Sequence, residues 1–156
     1  MNEQQIAYYQ SPIGYLKITT SDHGISALDF WDDEAIATEK PPGDFAECFQ
    51  QLDEYFSRRR QGFSLKLNPQ GTDFQKRVWN ELVNIPYGKT TSYLKIAETL
   101  GDRKALRAVG AANGRNPIPI IIPCHRVIGR NGDLIGFGGG IWRKEWLLRH
   151  EGVVLV

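Results

Sequence analysis

Cysteine is scarce in this sequence, because the 156 residues contain only Cys48 and Cys124, too few for a disulfide scaffold. No C-x-x-C or H-x-x-x-H spacing occurs, so we expect no bound metal. No apolar run approaches the roughly 20 residues that cross a bilayer, so we expect no membrane partner. The start of the chain, MNEQQIAYYQ, lacks a basic region followed by an apolar stretch. We therefore expect no secretory signal, a cytoplasmic location and two reduced thiols.

Charge is unevenly distributed, although the net charge is only +1. Residues 1–70 contain 6 Lys and Arg against 11 Asp and Glu, a net charge of −5, whereas residues 71–156 contain 13 against 7, a net charge of +6. A basic half predicts contact with a polyanion such as nucleic acid. The alternative is that charge simply varies along the chain without a functional consequence.

The first half of the chain has the pattern of a β-meander followed by a helix. Three short runs rich in β-forming residues, IAYY, YLKITT and ISALDF, are separated by SPIG and SDHG, which are typical turn sequences. Residues 31–44 are acidic and then rich in Pro and Gly, which favours a loop. FAECFQQLDEYFSRRR has apolar residues at helical spacing. Cys48 lies on that apolar stripe and is predicted to be a core thiol. FSLKL alternates like a strand, and NPQGT (68–72) is predicted to be a linker.

The second half has the pattern of consecutive helices. Thr72 with Gln75 three residues later forms a capping-box pattern that predicts a helix over TDFQKRVWNELV. TSYLKIAETLG predicts a second helix, with Thr91 or Ser92 as its cap, and DRKALRAVGAANG predicts a third that begins at Asp102. The short connection between them is typical of a helix-turn-helix. IPIIIP is predicted to be a short buried strand, and IWRKEWLLRHEG a final amphipathic helix.

The predicted third helix combines cations with very small side chains. Arg103, Lys104 and Arg107 lie near its start, where they can attract phosphates. Small residues let the backbone approach a partner closely, and that partner is either nucleic acid or another helix; they include Ala105 and Ala108. Five more cations of the second half could add phosphate contacts: Arg115, Arg126, Arg130, Arg143 and Lys144.

The second cysteine is followed directly by a histidine. A thiolate is the reactive form of cysteine, and a neutral imidazole can accept the thiol proton while a carboxylate orients the imidazole. Downstream candidates for that carboxylate are Asp133, Glu145 and Glu151. In extended backbone, Cys124 and His125 point to opposite faces, so a bridging water is the more natural link. The alternative is a buried thiol beside a surface histidine.

Two neighbouring features favour the catalytic interpretation of Cys124. Pro123 cannot donate to a strand ladder, so the predicted strand should end there and present the thiol at its end. GFGGG (136–140) is nearly free of side chains, so a ligand can lie against its backbone amides. A simple flexible connector is the alternative for this loop.

These motifs together resemble the O6-alkylguanine-DNA alkyltransferases, also called methylated-DNA–protein-cysteine methyltransferases. The resemblance is close over residues 72–152 and rests on SYLKIA, RAVGAANGRNPIPIIIPCHRVIG and KEWLLRHEG. The N-terminal half matches in strand pattern and length. The resemblance implies an α+β fold with two parts. Residues 1–70 would form a ribonuclease-H-like α/β domain with an antiparallel β-meander. Residues 71–156 would form a helical, winged-helix-like DNA-binding domain that carries the helix-turn-helix and the reactive cysteine.

The resemblance also implies a role for each site residue. Cys124 would accept the alkyl group, His125 would take its proton through a water, and Glu151 would orient His125. Asn116 would brace the surrounding turn, and Tyr93 would hydrogen-bond the guanine and help protonate it. The carbonyls of Cys124 and Val127 would read the exocyclic amine. Arg107 would be the finger that enters the duplex. Further predicted contacts with DNA are Ala105, Ala108, Arg115 and Arg126. The wall of the base pocket would be formed by Ile135, Phe137, Gly138 and Gly139.

The implied activity is direct reversal of DNA damage. An alkyl group on O6 of guanine in double-stranded DNA, or on O4 of thymine, would pass to Cys124 after the base is flipped out of the stack. A thioether product is not reopened by thiols, which predicts a single-turnover suicide reaction with no cofactor. We also expect the protein to be a monomer. Phe137 stands where relatives often have tyrosine and Gly138 where some have serine, so a hydroxyl contact is lost. Some members bind zinc in the N-terminal part, and this chain lacks the residues for it.

Three other functions remain open from the sequence. A non-catalytic binder of alkylated DNA would lack the acceptor cysteine, which Cys124 argues against. A helix-turn-helix transcription factor would need base-reading side chains, and AVGAAN supplies few. A cysteine hydrolase would form an acyl-enzyme with ester substrates.

Overall fold

The computed structural model describes residues 4–41 and 43–155, and the chain divides into two compact units at Gln70 and Gly71. The first unit begins with the predicted meander, which is confirmed. Strands β1 (Gln5–Ser11), β2 (Gly14–Ser21) and β3 (Gly24–Trp31) form one antiparallel sheet in that order. Alternate residues point to one face of a sheet, and the buried side chains are Ala7, Tyr9, Leu16, Ile18, Thr20, Ile25 and Leu28.

Helix α1 (Asp44–Phe56) supplies the apolar stripe that the sequence predicted. Phe45, Cys48, Leu52 and Tyr55 are all buried, so the prediction that Cys48 is a core thiol is confirmed. The predicted FSLKL strand is wrong. In that segment Leu67 makes an isolated parallel bridge with Ile25. Residues 63–66 form no strand in the described part of the unit.

The second unit opens with helix α2 (Asp73–Val83), and its predicted capping box is confirmed. The Thr72 hydroxyl accepts from the Gln75 backbone amide at 3.1 Å, and the Gln75 side chain accepts from the Thr72 amide at 2.9 Å. These bonds satisfy amides that the first helical turn leaves unpaired. The buried Trp79 indole donates to the Ala112 carbonyl at 2.8 Å.

The predicted helix-turn-helix follows. Helix α3 (Tyr93–Thr99) is capped by Ser92, whose hydroxyl accepts from the Lys95 amide at 3.0 Å. Asp102 caps a 3₁₀ turn, Arg103–Ala105, and helix α4 (Leu106–Gly114) continues from it. The third predicted helix is thus α-helical only from Leu106, and its first turn is the tighter 3₁₀ form common at helix starts.

Residues 118–123 are buried as predicted except for the half-buried Pro119, but the predicted strand is wrong. They form a compact turn, with Ile120 at φ +74°. Pro117, Pro119 and Pro123 supply no amide hydrogens for a ladder, and the amides that remain bond locally. The Ile122 amide, for example, donates to the Ile118 carbonyl at 2.9 Å.

Cys124 therefore lies at the start of a 3₁₀ turn, Cys124–Arg126, and not at the end of a strand. This turn leads into β5 (Val127–Ile128), which pairs in parallel with β4 (Thr91–Ser92). The chain then turns at Asn131 and Gly132, whose φ values are +63° and +82°. Helix α5 (Ile141–His150) completes the unit. Among the described residues, no helix is both long and apolar enough to cross a membrane.

Candidate active site

The thiol of Cys124 sits in the interior of the second unit, with 5% of the residue exposed. Its backbone amide donates to the Ile122 carbonyl at 2.8 Å, which holds the 3₁₀ turn closed. Burial raises the pKa of Cys124 to about 11, and Asn116 and Lys144 partly oppose that rise. In the free protein the residue is consequently a protonated thiol at neutral pH, and a reaction at sulfur requires a base.

A buried ionic network surrounds the neighbouring histidine. His125 Nε2 lies 2.7 Å from Glu151 Oε2, and both side chains are fully buried. Arg126 donates from Nε to Glu151 Oε1 at 2.8 Å and from Nη2 to Oε2 at 3.1 Å. Its Nη1 donates to the Ile85 carbonyl at 2.7 Å. Of the three candidate carboxylates, Glu151 is thus the one in contact with His125.

The charges of this network fix which imidazole nitrogen is free. Burial alone would raise the pKa of Glu151, but His125 and Arg126 outweigh it and hold that pKa well below its usual range. Burial lowers the pKa of His125, so the ring is neutral near pH 7. A carboxylate accepts, so the neutral ring carries its proton on Nε2. Nδ1, which has no hydrogen-bond partner among the described residues, is then the basic nitrogen.

Two asparagines hold the turn that carries the thiol. Asn116 donates from Nδ2 to the Ile122 carbonyl at 2.7 Å and accepts from the Ile118 amide at Oδ1 at 3.0 Å. Asn113, on α4, points Nδ2 toward the Cys124 carbonyl at 3.5 Å. Side chains therefore satisfy the backbone of a segment that prolines keep out of regular structure.

A buried lysine lies on the other side of the site. Lys144 is fully buried, and its ammonium donates to the carbonyls of Val127 at 2.6 Å and Ile135 at 2.9 Å. Burial lowers its pKa to about 8, and the proximity of Cys124 opposes that shift. Lys144 therefore ties β5 to the loop before α5 and places a positive charge near the thiol.

Replacing Lys144 by Met is expected to raise the pKa of the Cys124 thiol, because the ammonium favours the thiolate. Each pKa unit lowers the thiolate fraction about tenfold at a pH below the pKa. We expect slower iodoacetamide alkylation of Cys124 near pH 7, below the pKa of Lys144, where its ammonium is charged; the rate is measured by peptide mass spectrometry. The internal control is Cys48, whose pKa burial raises to about 12 and which lies in the other unit. An unchanged pH profile for Cys124 in a folded Lys144→Met protein would contradict this role.

An open cleft of about 900 Å³ lies beside α3 and α4. Tyr93, Gly110 and Gly136 line it, together with Leu106 and Ile135, which are exposed by 43% and 53%. Four cations also line it, namely Arg103, Lys104, Arg107 and Arg130. The cleft thus combines apolar surface with positive charge, a combination suited to nucleotides.

Tyr93 extends from the start of α3 toward the glycine-rich loop. Its hydroxyl donates to the Ile135 carbonyl at 3.0 Å. Burial raises the pKa of Tyr93, and the nearby Cys124 adds to the rise. Gly136 adopts φ +72°, and a Cβ there would lie 3.2 Å from the Tyr93 hydroxyl oxygen. A side chain at this position would therefore strain the backbone and crowd Tyr93.

The residues predicted to contact base or DNA occupy different environments. Arg107, Ala108, Arg115, Ile135 and Gly138 are exposed, and Ala105, Phe137 and Gly139 are half-buried. Val127 is fully buried, and its carbonyl accepts from Lys144.

The predicted phosphate contact of Arg126 needs correction, because its guanidinium is committed to Glu151 and Ile85 in the interior. Arg143 and Lys144 are also buried, and none of the three forms part of an exposed cationic surface.

Comparisons with known proteins agree with this geometry. A family model described as "6-O-methylguanine DNA methyltransferase, DNA binding domain" matches residues 73–153, and "6-O-methylguanine DNA methyltransferase, ribonuclease-like domain" matches residues 6–69. The methylated-DNA–protein-cysteine methyltransferase of Methanosarcina acetivorans is 45% identical over 154 residues, 94% of this chain and 97% of that protein. The chain belongs to the methylated-DNA–protein-cysteine methyltransferase family. The resemblance predicted from the sequence is confirmed.

Other members of the methyltransferase family extend the comparison. The Mycobacterium leprae methyltransferase is 57% identical over 109 residues, 70% of this chain and 66% of its own length. The crystal structure of Mycobacterium tuberculosis OGT in complex with DNA has a TM-score of 0.83 and 45% identity, covering 92% of this chain and 90% of that one. The M. tuberculosis O6-methylguanine methyltransferase has a TM-score of 0.86 at 43% identity, covering 96% and 93%. The predicted α+β fold class is confirmed.

Three residues of this methyltransferase site were missed or misplaced by sequence reasoning. The sequence predicts Arg126 and Lys144 to be surface cations and indicates no role for Asn113. Lys144 had a detectable signal, because it precedes Leu147 and Leu148 at the i+3 and i+4 spacing of a buried helical face. For Arg126 and Asn113 the sequence contains no such signal, because their partners lie on other elements.

Proposed function

We propose that this protein repairs DNA by transferring the alkyl group of O6-alkylguanine in duplex DNA to the sulfur of Cys124. The observation that carries this proposal is the buried thiol beside His125, whose Nε2 is held by Glu151 at 2.7 Å and whose Nδ1 has no partner among the described residues. The relatives' names support the same reaction.

In the proposed mechanism, a bridging water passes the Cys124 proton to His125 Nδ1. Glu151 stabilises the resulting imidazolium, because its carboxylate remains ionised. The thiolate attacks the alkyl carbon in line with the C–O6 bond. An S–C bond forms, the C–O6 bond breaks, and its electron pair remains on the guanine. A proton delivered through the Tyr93 hydroxyl makes the departing guanine neutral.

The alkylated base must leave the duplex to reach this thiol. Flipping a base costs a few kcal/mol, and we propose that Arg107 fills the space that the base leaves. The carbonyls of Cys124 and Val127 accept from the exocyclic amine, and an amide near Gly138 donates to O6. Ile135, Phe137 and Gly139 form the pocket wall with Gly138, and Asn116 keeps the turn in place.

The proposed partner is double-stranded DNA, which the second unit binds. Its net charge of +6 and the four cations of the cleft support this partner. The small residues Ala105 and Ala108 allow close approach of the backbone, and Arg115 is free to contact phosphate. Such contacts make binding weaken steeply with salt.

We further propose that the chain forms two domains. Residues 1–70 form a ribonuclease-H-like domain, and residues 71–156 form the alkyltransferase domain. The protein would act as a cytoplasmic monomer without a cofactor or metal. It would react once, because thiols do not cleave the thioether product. Action on O4-alkylthymine belongs to the same proposal as a secondary reaction.

The direct test is to mix the protein with an excess of duplex that contains one O6-methylguanine and to measure intact and peptide masses. We expect one methyl group per molecule, on the peptide that contains Cys124. A transcription factor would bind undamaged duplex selectively and gain no mass, and a hydrolase would show an acyl-enzyme burst with esters. Absence of methylation at Cys124 would overturn the proposed function.

A further inference from the structure

Two buried side-chain atoms in the described part of the chain lack a hydrogen-bond partner, and both belong to the surroundings of Cys124. One is His125 Nδ1, the proposed base. The other is Oδ1 of Asn113, a residue that is only 2% exposed. A buried acceptor without a donor destabilises the folded protein. The proposed function gives no role to Asn113 Oδ1 that would account for this cost.

The orientation of the Asn113 amide follows from its neighbour. Nδ2 lies 3.5 Å from the Cys124 carbonyl oxygen, and only an N–H group can face a carbonyl favourably. Oδ1 is therefore the acceptor end, next to a carbonyl that the proposed mechanism assigns to base recognition. The Tyr93 hydroxyl does not serve as its donor, because it donates to the Ile135 carbonyl at 3.0 Å.

The chemistry of the substrate suggests the missing donor. Alkylation at O6 removes the hydrogen from N1 of guanine, so the exocyclic 2-amino group is the only N–H donor left on the base. That group has two hydrogens. Its two proposed acceptors are the carbonyls of Cys124 and Val127, but the Val127 carbonyl already accepts from the Lys144 ammonium at 2.6 Å. The hydrogen directed at Val127 can therefore be shared with Asn113 Oδ1 in a three-centre bond.

We propose that Asn113 Oδ1 accepts a hydrogen bond from the 2-amino group of the flipped O6-alkylguanine, so that Asn113 determines base specificity. This inference rests on the proposed function and extends it. O4-alkylthymine has no N–H donor on its ring and would leave Oδ1 unpaired. Asn113 thus favours guanine lesions over thymine lesions.

The test compares two substrates that differ only in the amine. Single-turnover rates are measured with duplexes that contain O6-methylguanine or O6-methylhypoxanthine, which lacks the 2-amino group. Asn113→Leu keeps a similar volume and removes the acceptor. We expect it to slow the reaction with O6-methylguanine about tenfold more than the reaction with O6-methylhypoxanthine, the equivalent of one hydrogen bond. Loss of the Nδ2 contact with the Cys124 carbonyl affects both substrates alike, so the difference between them reports on Oδ1.

The matched control is Asn84→Leu, the same change at an exposed residue that follows α2, which should alter neither rate. If Asn113→Leu does not fold, judged by its thermal transition, Asn113→Ala provides the same comparison. Equal slowing with both substrates would mean that Asn113 supports the fold or the Cys124 thiol and does not contact the base, which would overturn the inference. Unchanged rates with both substrates would overturn it as well. Failure of the unaltered protein to accept methyl at all would instead refute the proposed function.

Discussion

Replacing Cys124 by Ser is expected to reduce methyl transfer below detection and to leave binding to alkylated duplex intact. A serine hydroxyl is similar in size to the thiol but is a far weaker nucleophile, because almost none of it is ionised near neutral pH. The cations proposed to attract DNA line the cleft, and Cys124 is not among the residues that line it. Transfer is measured by intact mass, and binding by fluorescence anisotropy with methylated and unmethylated duplexes.

The matched control for this substitution is Cys48→Ser. Cys48 is the other buried free thiol and lies in α1, outside the second unit. We expect the folded Cys48→Ser protein to accept one methyl group. Residual transfer by Cys124→Ser would identify a different acceptor, and complete loss of its DNA affinity would contradict the separation between binding and chemistry.

Replacing Glu151 by Gln is expected to lower the free energy of unfolding by about 3–5 kcal/mol, the usual cost of removing one partner from a buried ion pair. The change leaves the buried Arg126 guanidinium without the carboxylate that accepts two of its hydrogen bonds. It also weakens the contact that orients His125. Urea denaturation measures the loss, and single-turnover methyl transfer should slow in the same variant.

The pH dependence of stability tests the same ion pair. The pKa of Glu151 in the folded protein lies below its ordinary value of about 4.3. The stabilisation is therefore complete above that ordinary value and is lost as pH falls below it. We expect unaltered protein to lose this contribution below about pH 4, and Glu151→Gln to lack that part of the acid dependence.

A double variant separates charge from packing in this network. Arg126→Met combined with Glu151→Leu removes both charges and keeps apolar volume, and it should recover part of the lost stability. It should not recover methyl transfer, since His125 then has no carboxylate. Equal stability of Glu151→Gln and unaltered protein would show that the network contributes nothing to folding.

Local features of the fold could be predicted because their interactions join residues close in sequence. The strands of the meander alternate and are separated by turn residues, and the capping box joins Thr72 to Gln75. The apolar spacing of α1 predicted both the helix and the burial of Cys48. In each case the local pattern and the tertiary environment favour the same conformation.

Residues 118–126 could not be predicted in the same way. Their apolar composition is equally compatible with a strand and with a buried turn, and the turn depends on Asn116 and on the positive φ of the buried Ile120. The sequence likewise treats Arg126 as an ordinary surface cation. Its burial depends on Glu151, 25 residues later, and on the Ile85 carbonyl, 41 residues earlier.

By itself the sequence determined the family, the order of most helices and strands, and the identity of the thiol and the imidazole, because these depend on residue type and local spacing. Only the tertiary structure decided which nitrogen of His125 is free, that Arg126 and Lys144 are buried, and that Asn113 carries an unpaired acceptor beside Cys124. Those properties arise from contacts between segments distant in sequence. In the buried interior, hydrogen bonds and charge interactions have larger energies than they have in water.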